Sequence, residues 1–600
     1  MKYSVETLEY SDLIKESLTV PKYDKLLPVK PMKLAILADC AVQQLATLLK
    51  TLAARNGVAL DVYEGGYDSI DLEILNPESA LYSFGPQYLI VLMCGEKLKS
   101  RLYDAADRRS FAADTVGRIE NLWRAFGTRS SATIVQSTFV LPSERAFGNY
   151  ELKVADSVGA IFTEINYQLA QRARSAKNVL LNDVDFLAAS IGRRQWLDGR
   201  LWSMAKIPCR LEHMPRLAQS LLDTVLAAAG VFTRCVVLDL DNTLWGGVIG
   251  DDGLEGIALG EFDEGEAFVA FQKFLKELKR RGILLAVVSK NEHANAILPF
   301  KEHPCMVLKE EDISAFVANW DNKADNIRLV QKTLNIGFDS FVFLDDNPFE
   351  RNIVREHVPN VIIPELAEDP SSYVETLADL NLFETAAFSE ADLQRAAQYR
   401  EEAQREIIKT QFTNVNDYLA SLGMQIKLER FNAFNLPRIA QLIQRSNQFN
   451  LMTRRYGEAA CEAMMKDKAC APLTLKLSDK FGDYGLISVV ILKPAGEALE
   501  IDEYLMSCRV LQRGVERFAM NNIFAYAQRL GAKRVVGHYL PTAKNDMVKN
   551  FFKSFGFEKV GEVDGGGSKW ALAVEDYRPR EVFMSEAVNE LHTPEPVDAL

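Results

Sequence analysis

The stretch VVLDLDNT, residues 236–243, decides the fold of the middle of this chain. Its consecutive apolar residues are typical of a strand buried in a parallel sheet. Asp239 and Asp241 follow at the end of that strand, which is the end where ligands bind in open α/β sheets. Buried carboxylates are costly unless a cation compensates them. The sequence therefore predicts an α/β domain with a charged functional site at this strand end.

Strands and helices alternate on both sides of this stretch. Residues 283–289 and 341–346 are apolar runs that predict two more strands, and residues 268–282 have the apolar spacing of a helix that ends at Gly282. This alternation is typical of a parallel sheet covered by helices. An earlier α/β domain is predicted in the same way, with strands at 33–37, 59–65 and 88–95 and a helix at 40–57.

The pattern changes to α+β near residue 424. Strands are predicted at 486–492 and 498–506, a helix at 515–531, and a hairpin with a Gly-rich turn at 561–574. The predicted fold class is therefore a multidomain α/β chain. Its predicted parts are an α/β domain at 1–228, a second at 229–385, a helical connector at 386–423, an α+β domain at 424–576 and a tail at 577–600.

Composition narrows the class of protein. The 600 residues include 69 Lys and Arg against 82 Asp and Glu, a net charge of −13, which disfavours a nucleic-acid binder. The eight cysteines form no paired framework, and we expect a cytoplasmic protein with no signal peptide. The apolar run at 88–94 is too short to span a membrane.

The two carboxylates suggest phosphate chemistry. One of the two can attack phosphorus as a nucleophile, and the other can act as the general acid and then the general base. Three later elements supply complementary groups: Ser289 at a strand end, Lys323 at a helix start, and the Asp345–Asp346 pair at another strand end. The predicted phosphate ligands are Thr243, Ser289 and Lys323, and the predicted Mg²⁺ ligands are Asp239, Asp241, Asp345 and Asp346.

These four elements in this order resemble the haloacid-dehalogenase superfamily. The intervals from Asp239 to Ser289 and from Ser289 to Lys323 are too short to hold a lid domain. Water exclusion must then come from the substrate, another domain or a partner protein. We therefore expect a large substrate, or one delivered on a carrier.

Longer strings make the resemblance narrower. LDLDNTLWGGVIGDDG (238–253) and FLDDNPFERN (343–352) are similar to the FkbH-like branch, as are the strings at 444–456, 479–487 and 506–516. The resemblance implies that Asp239 is the phosphoryl acceptor and that Asp241 is the general acid and base. It also implies an enzyme that takes the glyceryl unit of 1,3-bisphosphoglycerate and removes phosphate. It also implies transfer of that unit to the phosphopantetheine thiol of an acyl carrier protein in polyketide-type biosynthesis.

The carboxy-terminal domain is similar to the GNAT acyltransferase fold. That resemblance implies a loop before a helix that binds pantetheine through Arg509, Arg513 and Gly514, with Asn545 in the closing segment. Gln512 stands where this loop usually has Gly, which disfavours coenzyme A. Cys508, beside the loop, is the predicted acyl-holding nucleophile, and Cys305 is its competitor.

The amino-terminal domain resembles the SGNH hydrolase fold, with Cys40 in the place of the nucleophilic Ser. The segment beginning at Asp198 lacks the His that would activate this thiol, and His213 is an alternative base. We predict a non-hydrolytic domain with a docking or scaffold role. Two other hypotheses remain for the whole chain: a small-molecule phosphatase fused to a coenzyme A-dependent acyltransferase, and a scaffold with relic domains.

Overall fold

The protein is described by a computed structural model in which two compact units, residues 1–396 and 397–600, are formed. The described residues are 9–19, 31–176, 178–334, 336–387, 405, 412, 414–446, 449–454, 456–467, 470–507, 510–542, 545–563 and 566–591. Among them, no helix is both long enough and apolar enough to cross a membrane.

The first unit begins with a parallel five-stranded sheet of order β2-β1-β3-β4-β5. Its strands are β1 (Met32–Ala38), β2 (Leu60–Glu64), β3 (Tyr88–Leu92), β4 (Thr133–Ser137) and β5 (Val179–Asn182). Separate apolar clusters cover the two faces of this sheet. The predicted strands at 33–37, 59–65 and 88–95 are thus confirmed, because continuous apolar runs are what a strand buried on both faces requires.

Helices surround this sheet. They are α1 (Tyr10–Ser17), α2 (Gln43–Arg55), α3 (Ile70–Leu75), α4 (Ala80–Phe84), α5 (Gly95–Tyr103), α6 (Phe111–Gly127), α7 (Val158–Ser175), α8 (Val184–Ile191), α9 (Arg193–Trp196), α10 (Gly199–Ala205) and α11 (Met214–Ala228). Helices α2 and α11 pack together over one face of the sheet, since their buried Leu and Ala residues belong to one cluster.

A second parallel sheet of four strands completes the first unit, in the order β8-β7-β6-β9. The strands are β6 (Cys235–Leu238), β7 (Leu284–Ser289), β8 (Ile313–Ala318) and β9 (Phe341–Leu344). The helices are α12 (Ile249–Gly256), α13 (Glu264–Arg280), α14 (His293–Glu302), α15 (Lys323–Leu334), α16 (Pro348–His357) and α17 (Tyr373–Asp379). Gly282, with φ of 99°, follows α13 as the sequence predicted.

The second unit is built on an eight-stranded sheet of order β15-β16-β14-β13-β12-β11-β10-β17. Its strands are β10 (Met424–Arg430), β11 (Ala471–Asp479), β12 (Gly482–Ala495), β13 (Ala498–Met506), β14 (Arg534–Tyr539), β15 (Glu558–Val563), β16 (Gly567–Ala573) and β17 (Met584–Asn589). Its helices are α18 (Val415–Ser421), α19 (Leu436–Arg445), α20 (Glu458–Lys466), α21 (Val515–Arg529) and α22 (Phe551–Ser554). The mixed sheet confirms the predicted α+β class of this region.

The described residues bear on two of the predicted domain boundaries, the tail from residue 577 and the connector at 386–423. The tail predicted from residue 577 is wrong for 577–591, because β17 pairs in parallel with β10 and Leu591 is buried in the core. The sequence of β17 did not predict a strand, because most of its residues are exposed and it has no apolar face. Most of the predicted connector at 386–423 lies outside the described residues, which include helix α18 at its end.

Candidate active site

Lys323 lies between two carboxylates at the carboxyl ends of neighbouring strands. Its Nζ is 2.7 Å from Asp239 Oδ2 and 2.6 Å from Asp345 Oδ2. Asp239 and Asp345 each directly follow their strand, and β6 and β9 pair in parallel, so both residues reach the same sheet edge. Burial acts to lower the pKa of Lys323, but the two carboxylates outweigh it and raise that pKa above its usual value. The lysine is therefore a fixed positive charge in the site.

Asp346 completes a group of three carboxylates. One oxygen from each of Asp239, Asp345 and Asp346 lies within 4.8 Å of the others. Burial first, and the charge of Asp239 second, raise the pKa of Asp345 to about 7 and also raise the pKa of Asp346. Asp239 Oδ1 is buried and has no hydrogen-bond partner among the described residues. Hard oxygen ligands with such an unmet buried atom fit Mg²⁺.

Asp241 lies outside that group, so the prediction that its carboxylate binds metal is corrected. Its Oδ1 accepts hydrogen bonds from Trp245 Nε1 at 3.0 Å and from the Ile249 backbone N–H at 3.1 Å. Its Oδ2 accepts one from Asn291 Nδ2 at 3.0 Å. Both oxygens are thus held by donors away from the metal group. Burial raises the pKa of Asp241, which favours a protonated form that can act as a general acid.

Thr243 and Ser289 were both predicted to bind phosphate. The Thr243 side chain is fully buried, and its Oγ1 is 3.3 Å from Asp346 Oδ1 and accepts the Asp346 N–H at 3.2 Å. The buried Thr243 hydroxyl therefore positions Asp346, which differs from the phosphate contact that was predicted for it. Ser289 ends β7, which pairs with β6, and it is buried at the same sheet edge as Asp239. Its role as a phosphate ligand stays a prediction.

Three residues of the site were missed by the sequence analysis. Asn291 orients Asp241, and Arg351 donates from one guanidinium nitrogen to the carbonyl oxygens of Asp345 and Asp346, both at 2.7 Å. Glu365 in turn pairs with Arg351 at 2.8 Å. Arg351 falls inside the distinctive string 343–352, which was the available signal. Asn291, two positions after a strand end, carried no signal of its own.

The predicted pantetheine loop in the second unit has an unusual conformation. Gln512 has φ of 64° and Gly514 has φ of 85°, so both occupy the left-handed region that favours glycine. Gly514 directly precedes α21, as predicted, and leaves the helix start open. The Gln512 N–H donates to Glu516 Oε1 at 3.4 Å, so a carboxylate lies at this loop. Cys508 and Arg509 lie outside the described residues.

The structure contradicts the predicted carrier-binding roles of Arg513 and Asn545. Arg513 is 7% exposed, with its guanidinium carbon 5.0 Å from the Tyr484 ring centre and Nη1 3.7 Å from Asp479 Oδ2. Asn545 is fully buried and donates to the carbonyl oxygens of Asn450 and Leu540, both at 2.9 Å. Both side chains therefore stabilise the interior, and neither lies on a surface that a carrier could contact. Their burial could not be inferred from sequence.

A short segment fills the gap between β13 and β14. The two strands pair only from Ala498–Arg534 to Ile501–Gly537 and then separate. The segment 449–452 lies between them: the Leu451 N–H donates to Tyr504 O at 3.0 Å, and the Leu540 N–H donates to Leu451 O at 2.8 Å. This segment belongs to the string 444–456 that carried the family resemblance, so part of that string serves the fold.

In the amino-terminal domain, the hydrolase-like resemblance singled out Cys40, Asp198 and His213. Asp198 Oδ1 accepts the N–H groups of Arg200 at 2.8 Å and Leu201 at 3.1 Å, so it caps α10. The imidazole of His213 stacks in parallel on the Trp196 ring, with the ring centres 6.3 Å apart. Cys40 is buried next to Asp39 and Cys94. The cap accounts for the Asp198 carboxylate, and the non-hydrolytic role of this domain stays a prediction.

The parallel sheet of 235–344, with an acidic strand end and a buried lysine, defines a phosphatase of the haloacid-dehalogenase class. A sequence model of the family described as FkbH, N-terminal domain, matches residues 33–226. The crystal structure of the N-terminal part of the protein BF1531 from Bacteroides fragilis, containing a phosphatase domain complexed with Mg, is 38% identical; the match covers 63% of this chain and 100% of that one, with a TM-score of 0.60. This chain belongs to the FkbH-like family.

Acetyltransferases of known structure match a smaller part of the chain. The ribosomal-protein-S18-alanine N-acetyltransferase from Escherichia coli is 13% identical over 25% of this chain and 94% of its own, with a TM-score of 0.20. The spermidine N-acetyltransferase from Vibrio cholerae is 16% identical over 26% of this chain and 98% of its own, with a TM-score of 0.21. No protein with a curated description matches the chain.

Proposed function

We propose that this protein is a cytoplasmic Mg²⁺-dependent enzyme that takes the glyceryl unit of 1,3-bisphosphoglycerate, removes its phosphate, and loads it onto an acyl carrier protein. The acceptor is the phosphopantetheine thiol of that carrier, and the product enters polyketide-type biosynthesis. The observation that carries the phosphatase part is the buried arrangement of Asp239, Lys323 and Asp345. The family to which the chain belongs supports the transfer part.

Asp239 is the nucleophile in the phosphatase step. Its carboxylate attacks phosphorus, and Lys323, 2.7 Å from its Oδ2, holds it at the strand end. The new O–P bond forms as the bond from phosphorus to the C3 oxygen breaks. The charge of Lys323 stabilises the negative oxygens of the transferring phosphoryl group.

Asp241 moves the proton in both halves of the reaction. Its raised pKa favours the acid form, which protonates the leaving C3 oxygen. The resulting carboxylate then takes a proton from the water that hydrolyses the aspartyl phosphate. The donors Asn291, Trp245 and Ile249 hold this carboxyl in one orientation through both steps.

Mg²⁺ is the cofactor whose chemistry fits the remaining carboxylates. Asp239, Asp345 and Asp346 would hold it, and Thr243 and Arg351 fix the loop that carries the last two. When bound, the ion supplies compensation for the charge of the phosphate and the carboxylates. BF1531 was crystallised with Mg, and that protein shares 38% of its aligned residues with this chain.

The acyl step needs a thiol, and Cys508 is the proposed one. The C1 phosphate of the substrate is an acyl phosphate, so a thiolate can attack the C1 carbonyl and release inorganic phosphate as the C–S bond forms. The pantetheine thiolate then attacks this thioester and releases the Cys508 thiolate. Each transfer breaks one bond to the acyl carbon and forms one, and no oxidant or reductant is needed.

Intact-protein mass spectrometry of an acyl carrier protein tests the proposal. The carrier is incubated with the enzyme, Mg²⁺ and 1,3-bisphosphoglycerate, and a mass increase of one glyceryl group on the pantetheine arm is expected. An unmodified carrier, with phosphate still released, would contradict the transfer function. Acetylation of a small molecule by acetyl-coenzyme A would instead support a coenzyme A-dependent acyltransferase, which Gln512 and the nearby carboxylate of Glu516 disfavour.

A further inference from the structure

Two thiols and a carboxylate meet at an edge of the first sheet, in a domain to which the proposed function assigns no chemistry. Asp39 and Cys40 directly follow β1, and Cys94 lies just after β3. These two strands pair in parallel, with Ala38 opposite Leu92, so their ends bring the three side chains together. One oxygen or sulfur atom from each lies within 4.8 Å of the other two.

All three side chains are withdrawn from solvent. Asp39 is 4% exposed, Cys40 is 2% exposed and Cys94 is 8% exposed. The Cys94 backbone N–H donates to Asp39 Oδ1 at 2.8 Å, which fixes the carboxylate relative to the thiol. Acidic groups gathered in the interior are costly unless a cation compensates them, and a bound metal ion would do so.

Hydrolysis does not account for this arrangement. Asp198, the residue expected to begin the catalytic partner motif of a hydrolase, caps a helix instead. A thiol without an activating base is a weak nucleophile, but two adjacent thiols and a carboxylate form a ligand set. The chemistry of these atoms is therefore better suited to binding a metal than to attacking a carbonyl.

We propose that Asp39, Cys40 and Cys94 bind one Zn²⁺ ion through a carboxylate oxygen and two thiolate sulfurs. Zinc is bound in proteins by Cys, His and carboxylate ligands, and three protein ligands leave its fourth tetrahedral position open. Soft thiolates select against Mg²⁺, which requires hard oxygen ligands. The chain would thus carry two metal sites of opposite chemistry, one for each parallel sheet.

A cavity gives this site an entry path. Cys94 lines it together with Met93, Gly95 and Thr138, and Trp196 and Trp202 form its apolar wall. Of the three proposed ligands, Cys94 is the one that lines this cavity, so we place the route of entry and the open fourth position on the side of Cys94. Cys209, a third buried thiol close to Cys40, lies outside the group of three.

Cobalt substitution tests the proposal on the full chain. Reduced, metal-free protein in excess Mg²⁺ is titrated with Co²⁺, and a sulfur-to-cobalt charge-transfer absorption is measured. The carboxylate site at Asp239 cannot produce this absorption, since it contains no sulfur. We expect a stoichiometric band that Zn²⁺ abolishes, and elemental analysis that finds one zinc per chain after zinc loading and dialysis.

Three variants and one control make the test specific. Cys40→Ser and Cys94→Ser should each lose most of the band, and Asp39→Asn should shift it and weaken cobalt binding. Cys305→Ser, a partly exposed cysteine outside the group, should leave it unchanged. Circular dichroism verifies that each variant is folded. The double variant Cys40→Ser/Cys94→Ser removes both thiols, so that partial binding by a single variant does not obscure the result.

Several results would overturn the zinc site. One is the absence of a band at stoichiometric Co²⁺ in reduced protein. Another is a band that survives in the double variant, which would move the metal to other cysteines. A third is a count of six free thiols in the denatured, air-handled protein instead of the eight that the sequence contains, rising to seven in both Cys40→Ser and Cys94→Ser, which would assign Cys40 and Cys94 to a disulfide.

Discussion

At the scale of single residues, the candidate active site depends on how one lysine is shared between two carboxylates. Lys323 binds one oxygen of Asp239 and one of Asp345, which leaves Asp239 Oδ1 as the oxygen without a partner among the described residues. The lysine thus neutralises part of the negative charge of both carboxylates and holds them at one edge of the sheet. Replacement of Asp239 therefore tests whether this residue is the nucleophile.

Asp239→Asn should lower the release of phosphate from a phosphate ester to about 1% of the wild-type rate or less. An amide is a poor nucleophile and a poor metal ligand, so both functions of the side chain are lost. Phosphate release under Mg²⁺ saturation is the measurement, and EDTA should have the same effect on the wild type until Mg²⁺ is restored. Near-normal release by the variant would exclude Asp239 as nucleophile.

Asn291→Ala should change the pH dependence of phosphate release. The Asn291 amide donates to Asp241 Oδ2 at 3.0 Å, which stabilises the carboxylate form. Without this donor the pKa of Asp241 rises further, so the alkaline limb of the pH–rate profile moves to higher pH. The expected shift is about one to two units, because a hydrogen bond to a charged group is worth about 1.5–3 kcal/mol. Asn352→Ala, on the exposed side of α16, is the control. An unmoved limb would contradict the proton-transfer role of Asp241.

The residue types predicted which charged side chains meet in this site, but not the hydrogen bonds that orient them. Asp239, Lys323, Asp345 and Asp346 were brought together as expected, because strand ends of a parallel sheet meet at one edge. Asp241 belongs to the same motif, but three hydrogen-bond donors turn its side chain away from the metal group. Two of these donors lie within eight residues of Asp241 and the third, Asn291, is 50 residues away. Which donors face a carboxylate is decided by the folded loop, and a single sequence does not reveal it.

Tertiary packing also explains why two predictions in the second unit were wrong. Arg513 and Asn545 have polar side chains that suggested a binding surface, whereas both are buried. Whether a polar residue faces solvent or satisfies backbone groups in the interior depends on tertiary packing.

At the scale of elements, the segment 449–452 takes the position of a strand between β13 and β14. Its backbone bonds to both neighbours, and Asn545 fixes it by donating to Asn450 O. Asn545 also accepts the Thr542 N–H at 2.7 Å, so one side chain ties two loops together. The stability of this part of the sheet therefore depends on side chains from both sides of the gap.

Asn545→Ala should destabilise the second unit by about 2–3 kcal/mol, because it leaves several buried backbone groups without partners. Amide hydrogen exchange, followed by mass spectrometry, should become faster at 449–452 and 540–542. Asn550→Ala is the matched control, since that residue is exposed and its side chain caps no helix. Equal protection in the two variants would show that Asn545 is not what holds the segment.

Glu503→Gln should remove a pH dependence from the stability of the same region. Glu503 is fully buried, its carboxylate accepts the Arg454 N–H at 2.8 Å, and burial raises its pKa to about 7. Because the folded state holds the proton more tightly than the unfolded state, this group destabilises the fold as pH rises from about 4.5 towards 7, by at most about 3 kcal/mol.

Urea unfolding of the second unit at pH 5 and pH 7.5 measures this difference. The wild type should lose more stability between the two pH values than Glu503→Gln does. Glu581→Gln, an exposed residue, should behave like the wild type. The same pH dependence in wild type and Glu503→Gln would show that another group is responsible.

Strands and helices were predicted from sequence more reliably than their edges. Apolar runs marked β6, β7 and β9, since strands buried on both faces need continuous apolar residues. The edge strand β17 has mostly exposed residues, so no such pattern exists for it. Edge strands that pair only with one neighbour require little hydrophobicity, which explains why this one was taken for a tail.

At the scale of the whole molecule, the proposed reaction divides between the two units. Residues 1–396 contain the phosphate site, and residues 397–600 contain the proposed acyl site. The substrate has two phosphates of different reactivity. An acyl phosphate at C1 is displaced by a thiolate without a phosphatase, whereas the ester at C3 is hydrolysed slowly and needs Asp239. Each unit can then be inactivated while the other half-reaction is observed.

Cys508→Ala and Asp239→Asn should therefore have opposite effects. Cys508→Ala should stop the loading of the carrier while Asp239-dependent phosphate release from the C3 ester persists. Asp239→Asn should still form a thioester, but the adduct on enzyme or carrier should be heavier than the wild-type adduct by one phosphate. Intact mass spectrometry of both proteins measures this directly, with Cys305→Ala as the matched control because it removes the competing thiol. Normal loading by Cys508→Ala together with loss of loading by Cys305→Ala would move the acyl-holding role to Cys305. Normal loading by both variants would mean that the glyceryl group passes to the pantetheine thiol without either cysteine, so that the second unit binds the carrier but holds no acyl group on these thiols.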